Sequence, residues 1–348
     1  MQRGAAIFRI NGAERLGEGL HILFAGSPAI AAPSLRVLSD MELEGKGVVL
    51  AGVLTNQDSK RGRHSQDEPT DISAAASELD VIRKERGLPP IPQLKPGKLD
   101  EIARKEVAAL SPNLLVSFAC CHFFGPRFLA LFPLGGINIH PSLLPRYRGA
   151  SPIPAAILAR EKETGICIQK LAPEMDAGDI LAEERFALSG RETTSSLSEI
   201  AGEKAACLLR ELLLNFDASV AGARPQEGEA VYCHQIKKED GLINWNKSAA
   251  EIDAQIRAYT PWPLSFTHLG KDTLFILEAR PLEPAEPQGT VQAAPGTCLG
   301  TDREKGILIQ TGDGILAVSR LQWQTKKALD WKAFCNGRPD FGSVRLGC

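Results

Sequence analysis

The sequence predicts an α/β protein in which a parallel sheet covered by helices is followed by a small β-barrel. Up to about residue 216, continuous apolar runs alternate with helix-compatible stretches. Such runs are typical of parallel strands that are buried on both faces. Beyond residue 228 the apolar runs are shorter and are separated by Gly, Pro and Asp-Gly turns, as in antiparallel β structure.

The first strand, loop and helix are predicted from His21 onward. An apolar run ends at the turn Gly26-Ser27-Pro28, and a helical pattern covers 29–38. Further strands are expected at 48–55, 114–118 and 136–140, with a helix over 99–109 between the first and second of these. A Rossmann-like arrangement over 21–216 follows. A bound dinucleotide is not expected, because the first turn has one glycine instead of the pattern G-x-G-x-x-G.

The domain boundary is placed after a long predicted helix over 194–214. Segment 217–228 contains Gly and Pro and has little apolar periodicity, so we expect it to be the interdomain linker. Short apolar strands at 274–277, 306–310 and 315–318 predict an OB-like barrel over 229–348. Residues 1–20 precede the first strand as an N-terminal extension, which is either disordered or the product of a misassigned start.

Composition narrows the class of protein. The chain has 348 residues, of which 43% are hydrophobic and 24% are charged, and its net charge is -2. These values are ordinary for a globular protein. The net charge excludes a protein that is basic over its whole surface, so a nucleic acid would have to bind a local patch of basic residues. No apolar run reaches the roughly 18 residues of a membrane span. The first 20 residues carry charged side chains, among them Arg3, Arg9, Glu14 and Arg15, without an apolar block, which argues against secretion, and we expect a cytoplasmic protein.

The eight cysteines form no C-x-x-C pair and no Cys/His cluster at zinc spacing. We therefore expect reduced thiols and no metal site. Adjacent Cys120 and Cys121 could react, but buried apolar packing is the role we predict for them.

Two polar side chains interrupt the predicted strand at 136–140. Because side chains alternate across a strand, Asn138 and His140 project from one face and the two isoleucines from the other. Ligands of open α/β sheets bind beyond the carboxyl ends of the strands, and the loop 141–145 leaves the sheet at such an end. The alternative is that both side chains satisfy backbone groups at the strand end.

Two motifs resemble the folate-dependent formyltransferase family. They are NIHPSLLPRYRG at 138–149 and MDAGD at 175–179. The resemblance extends from FAGSP in the first turn through ETGI at 163–166 and RAYTPWP at 257–263 to TGDGIL at 311–316. The elements beyond the linker are similar to those of family members that formylate methionyl initiator tRNA.

The resemblance implies that the donor is 10-formyltetrahydrofolate and that the catalytic set is Asn138, His140 and Asp176. Formyl transfer passes through a tetrahedral oxyanion, which Asn138 can stabilise as a hydrogen-bond donor, and it needs a proton carrier such as His140. Asp176 would orient the imidazole and favour its protonated form. Asp179 is a rival for this role, but the family motif places the carboxylate before Ala-Gly, which favours Asp176.

The resemblance assigns folate contact to a short loop and its opposite wall. The loop residues are Ser142, Leu143, Leu144 and Pro145, whose apolar members suit a flat pterin ring. The wall is expected at 118–125, where the family usually has an aromatic-Gly pair and this chain has Phe118-Ala119 followed by two cysteines and His122. His122 could line the pocket. This departure affects the shape of the pocket more than the reaction type.

A basic loop at 58–64 is the candidate tRNA contact. In the tRNA-specific members the matching loop enters the acceptor end of the tRNA, which implies contacts from Lys60, Arg61 and Arg63. The alternative is a solvated charged loop. The stretch 229–348 carries equal numbers of basic and acidic residues, so the second domain is not a generally basic platform.

Two other functions remain open at this stage. One keeps the chemistry and changes the acceptor to a small amine, although relatives that act on glycinamide ribonucleotide lack the C-terminal barrel. The other is a noncatalytic tRNA-binding protein. The presence of the whole catalytic set, Asn138, His140 and Asp176, argues against it. We expect a monomer.

Overall fold

The computed structural model describes residues 19–60, 66–282 and 293–347. The chain forms two compact units. The first comprises the described residues up to Gly149 together with Thr164–Phe186 and Ser198–Tyr232. The second comprises Ala150–Glu163, Ala187–Leu197 and the described residues from Cys233 onward.

The helices are α1 (Ala32–Leu43), α2 (Asp71–Glu85), α3 (Glu101–Ala109), α4 (Pro126–Leu129), α5 (Pro152–Leu158), α6 (Thr194–Leu214), α7 (Phe216–Ala221), α8 (Ala249–Ala258) and α9 (Trp331–Gly337). The strands are β1 (Leu20–Ala25), β2 (Val48–Leu54), β3 (Ser59–Lys60), β4 (Asp67–Glu68), β5 (Gln93–Leu94), β6 (Leu114–Phe118), β7 (Gly136–His140), β8 (Arg148–Gly149), β9 (Glu163–Lys170), β10 (Ile180–Ala187), β11 (Tyr232–Cys233), β12 (Ser265–Leu269), β13 (Asp272–Pro281), β14 (Cys298–Asp302), β15 (Gly306–Gln310), β16 (Ile315–Trp323) and β17 (Leu329–Asp330).

A seven-stranded sheet with the order β10-β9-β7-β6-β1-β2-β5 forms the centre of the first unit. Strands β7, β6, β1, β2 and β5 pair in parallel, and β9 pairs with β7 in the antiparallel direction. All five residues of β6 are buried, as expected for a strand covered on both faces. The α/β fold class with a predominantly parallel sheet is confirmed.

Helix starts in the first unit follow from capping residues. Thr70 accepts a hydrogen bond from the Ser73 amide at the start of α2, and Asp100 accepts from two amides at the start of α3. The first predicted helix, over 29–38, is a 3-10 turn at Ala29–Ala31 that continues into α1. The predicted linker segment, 217–228, begins within the short helix α7.

The second unit is built on an antiparallel sheet of order β12-β13-β16-β15-β14, with β17 beside β16. Its apolar core includes Trp245, whose indole Nε1 donates to the Thr267 hydroxyl at 3.0 Å. Helix α8 begins with a capping box formed by Ser248 and Glu251. Strand β16 continues to Trp323, whereas the predicted strand ended at 318 because Ser319, Arg320 and Gln322 interrupt the apolar run.

Within the part of the chain that the structure describes, no helix is long and apolar enough to cross a membrane. Most of the N-terminal extension expected at 1–20 lies outside the described residues, which begin at Gly19.

Candidate active site

Strand β7 places Asn138 and His140 on one face of the sheet. The antiparallel pairing with β9 sets Asn138 opposite Gln169 and His140 opposite Cys167. Directly opposed residues of neighbouring strands project to the same side. The polar face predicted for β7 therefore gains Gln169, which is almost completely buried, as a third polar group.

The carboxylate of Asp176 lies beside both polar side chains of β7. Its Oδ1 accepts from the Asn138 amide at 3.4 Å, and its Oδ2 is 3.6 Å from His140 Nδ1. The Gly149 backbone amide donates to Oδ2 at 2.8 Å, and the Gln169 amide donates to Oδ1 at 3.0 Å. The side chain of Asp176 is only 12% exposed, and such a buried charge requires this density of donors.

The turn that carries Asp176 has a demanding backbone. Asp176 has a φ of 53°, in the left-handed region, where Asp is better tolerated than most residues. A Cβ atom at Gly178 would lie 1.8 Å from the Lys170 carbonyl oxygen, so only glycine fits there. Asp179 points elsewhere, with its carboxylate 3.3 Å from Lys170 Nζ. The geometry thus brings Asp176, and not Asp179, to Asn138 and His140.

Both ring nitrogens of His140 face oxygen acceptors. Nε2 is 2.8 Å from the Tyr147 carbonyl oxygen, and Nδ1 faces the Asp176 carboxylate. A carbonyl oxygen can only accept, so the contact with Tyr147 is a hydrogen bond in the tautomer that has its hydrogen on Nε2. Tyr147 itself has a left-handed φ of 60°.

Two glutamines that were not predicted complete this site. Gln169 Oε1 accepts from the Gly178 amide at 3.1 Å, so its side chain joins the carboxylate to the turn that carries it. Gln226, within the predicted linker, donates to the backbone carbonyls of Asp176 and Gly178. Strand periodicity could have suggested Gln169, but nothing in the local sequence marks Gln226.

The predicted folate loop is packed into the protein through most of its side chains. Ser142, Leu144 and Pro145 are buried, and the Ser142 hydroxyl donates to the Arg146 carbonyl at 2.6 Å. Leu144 packs with Cys167 and Ile180, while Leu143 is partly exposed and lies over Gly165. What this loop can offer to a planar ligand is therefore the Leu143 side chain and the backbone.

The expected pocket wall departs from the family pattern at a strained position. Ala119, which stands where the family usually has glycine, adopts a left-handed φ of 51°. Cys120 packs on an apolar cluster as predicted, but the prediction of burial is wrong for Cys121. Its exposed thiol contacts the Asn56 side-chain oxygen at 2.8 Å, whereas the neighbouring Cys120 packs on the apolar cluster.

Burial alters the acid-base behaviour of this wall. It raises the pKa of the Cys120 thiol to about 12 and lowers the pKa of His122, because an apolar surrounding disfavours the charged forms. His122 Nε2 is buried, and no hydrogen-bond partner faces it among the described residues. Cys167, beneath the folate loop, is buried as well, and its pKa is also raised to about 12.

The candidate tRNA loop is described only in part. Lys60 is exposed at the end of β3, which pairs with β4. Arg61 and Arg63 lie outside the described residues. Within the described ranges, no group of three or more His, Cys, Asp or Glu side chains could hold a metal ion.

Two family models match this chain. The model described as "Formyl transferase" matches residues 21–212, and the model described as "Formyl transferase, C-terminal domain" matches residues 235–339. The first alone covers more than half of the chain.

Relatives match over nearly their full length. A protein of Treponema denticola named methionyl-tRNA formyltransferase is 50% identical over 92% of this chain and 98% of the relative. A Treponema pallidum protein of the same name is 41% identical over 94% and 99%. The fold resembles that of an N-formyltransferase from Helicobacter canadensis solved with folinic acid and dTDP-3-aminofucose. That match has a TM-score of 0.57, 18% identity, and coverage of 86% of this chain and 99% of that one.

The contrast between the neighbouring cysteines gives a chemical test of the wall. At pH 8 we expect iodoacetamide to alkylate Cys121 and, as a reference, the exposed Cys207. Cys120 and Cys167 should stay unmodified, because a thiol with a pKa of about 12 is almost entirely protonated at that pH. Peptide mass spectrometry of the folded protein distinguishes the sites. Alkylation of Cys120 at the rate of Cys121 would contradict the geometry.

Proposed function

The chain belongs to the formyl transferase family, and on that premise we propose that it transfers the formyl group of 10-formyltetrahydrofolate to the α-amino group of methionyl initiator tRNA. The products are formylmethionyl-tRNA, for translation initiation, and tetrahydrofolate. The observation that carries this proposal is the convergence of Asn138, His140 and Asp176 in a chain that matches tRNA-specific relatives from end to end.

In this reaction the amine attacks the formyl carbon, negative charge develops on the formyl oxygen, and a proton moves from the amine to the departing nitrogen. Asn138 supports the charge with its amide hydrogen, a contribution of about 2.7 to 4 kcal/mol for one well-placed donor. His140 carries the proton, and its two ring nitrogens face the Asp176 carboxylate and the Tyr147 carbonyl. Asp176 holds the imidazole in orientation.

The chemistry of the site fits a reduced folate as donor. The loop of Ser142, Leu143, Leu144 and Pro145 follows β7 directly, so it lies at the carboxyl end of the strand that carries Asn138 and His140. Leu143 and the loop backbone supply apolar and polar contacts for a pterin ring. When bound, 10-formyltetrahydrofolate supplies the activated formyl group.

The tRNA contacts are proposed on the basic loop and on the C-terminal part of the chain. Lys60, Arg61 and Arg63 provide cations for the acceptor end, where phosphates and unstacked bases favour arginine. We assign catalysis to 21–216, the linker to 217–228 and tRNA binding to 229–348. The cysteines that the structure describes are free, which supports a cytoplasmic location. A monomeric state stays a prediction.

The acceptor is tested by incubating the purified protein with 10-formyltetrahydrofolate and either charged initiator tRNA or a small amine. We expect formyl on the methionyl amine only, read by mass spectrometry of the released aminoacyl group. The comparison amines are glycinamide ribonucleotide and an amino-sugar nucleotide. Formylation of either one, with methionyl-tRNA unmodified, would replace the proposed acceptor.

Removing the imidazole tests the proton carrier. We expect His140→Ala to lower kcat by at least about 10²-fold, the lower end of general acid-base effects, with tRNA binding nearly unchanged. The matched control is His234→Ala, at an exposed histidine, which should retain most of the activity. Turnover of His140→Ala at the wild-type rate would rule out His140 as the proton carrier.

Removing one loop cation tests the tRNA contact. Arg61→Ala should weaken tRNA formylation and reduce by about one the slope of log affinity against log salt, as for a lost phosphate contact. Arg86→Ala, at an exposed arginine at the end of α2, serves as the control and should leave the slope unchanged. If Arg61→Ala formylates tRNA at the wild-type rate at every salt concentration, the loop takes no part in the mechanism.

A further inference from the structure

The side chain of Gln226 bridges two segments of the active site. Its Nε2 donates to the Asp176 carbonyl at 2.8 Å and to the Gly178 carbonyl at 2.9 Å, and it lies 3.2 Å from Gln169 Oε1. On its other side, Oε1 accepts from the Arg148 guanidinium at 2.7 and 3.0 Å. One amide group thus connects the turn of the catalytic carboxylate with the segment that follows the folate loop.

The orientation of this amide is determined by its partners. Arginine can only donate, so the atom facing Arg148 must be the oxygen, and the nitrogen must face the two carbonyls. Arg148 is itself held in place, because its Nη1 contacts the Glu174 carboxylate at 3.4 Å and the Tyr232 hydroxyl at 3.2 Å. The Tyr232 hydroxyl in turn donates to Glu174 at 2.7 Å.

The turn that Gln226 binds contains a sparsely populated backbone conformation. Asp176 is in the left-handed region, and such conformations persist only where the surroundings over-determine them. Gln169 and Gly149 hold the carboxylate, whereas Gln226 holds the peptide carbonyls on either side of Ala177. Its loss would leave the carboxylate its donors but release the backbone that aims it.

We infer that Gln226 is a positioning residue for formyl transfer, acting through Asp176 by fixing the backbone from Asp176 to Gly178. This inference rests on the proposed function. Gln226 contacts neither Asn138 nor His140, and its bonds to the Asp176 and Gly178 carbonyls act on the backbone that carries the carboxylate. A misplacement of about 1 Å in such a site can cost on the order of 10²-fold in rate.

The first test is Gln226→Met, which keeps the length of the side chain and removes its hydrogen bonds. We expect kcat for formyl transfer to fall by about 10- to 100-fold, with KM for each substrate within about threefold of wild type. The control is Glu227→Gln at the neighbouring exposed residue, which should have wild-type kinetics. An unchanged kcat in Gln226→Met, or an equal loss in the control, would overturn the inference.

A double-mutant cycle separates positioning from general destabilisation. In the Asp176→Asn background, whose residual activity is measured in single turnovers, Gln226→Met should cost less than about threefold because the group it positions is gone. A loss as large as in the wild-type background would show that Gln226 does not act through Asp176. Gln226→Glu is a second variant for the case that Gln226→Met folds poorly. It keeps the acceptor for Arg148 and loses the donor to the Asp176 and Gly178 carbonyls, so kcat should fall as expected for Gln226→Met.

A readout without turnover distinguishes this inference from the proposed function. In Gln226→Met, hydrogen exchange should accelerate in peptides covering 174–179 and at Gly149, whose amide donates to Asp176, and not in peptides covering α3. Unchanged exchange would show that Gln226 does not hold this backbone and would overturn the inference. If the wild-type protein formylates no tRNA but the exchange changes as expected, the proposed function fails, whereas the role of Gln226 in fixing the backbone from Asp176 to Gly178 stands.

Discussion

The antiparallel pairing of β7 (Gly136–His140) with β9 (Glu163–Lys170) determines where the polar groups of the site lie. In the parallel direction the same strand would end beside His140, at the opposite end of β7. Instead β9 ends beside the start of β7, with the Leu171 amide donating to the Gly136 carbonyl. The loop that follows folds back over that face, so Asp176 reaches Asn138 and Gln169 within hydrogen-bond distance.

The buried carboxylate couples separate segments of the chain. A hydrogen bond to a charged group contributes about 1.5 to 3 kcal/mol to the stability of the fold. Leaving the same group buried without a partner lowers the stability by a comparable amount. Asp176 receives donors from β7, β8 and β9, and its own backbone is held by Gln226. Each segment is therefore positioned against a common charge. Such a network is well satisfied only when all of its members are in register, which favours a single arrangement of the site.

The elements of the sheet and the shared face of Asn138 and His140 could be read from local sequence, because apolar runs and period-two alternation are local signals. The proximity of Asp176 came from resemblance to a family, since no local pattern places residue 176 beside residue 138. Gln169 and Gln226 were missed because strand register and a contact between distant segments are tertiary properties. The prediction that Cys121 is buried was wrong, since its thiol is exposed two residues after the left-handed position at Ala119.

The expected pocket wall at 118–125 and the proposed catalytic set of Asn138, His140 and Asp176 are held by different parts of the structure. A residue other than glycine in the left-handed region costs about 1 to 2 kcal/mol, and Ala119 carries such a cost where the family usually has glycine. The hydrogen bonds of the Asp176 carboxylate come from β7, β8 and β9, and His140 Nε2 contacts the Tyr147 carbonyl, so none of these partners lies in 119–125. Substitutions at 119–125 can therefore alter this wall while the groups proposed to carry the reaction keep their hydrogen bonds.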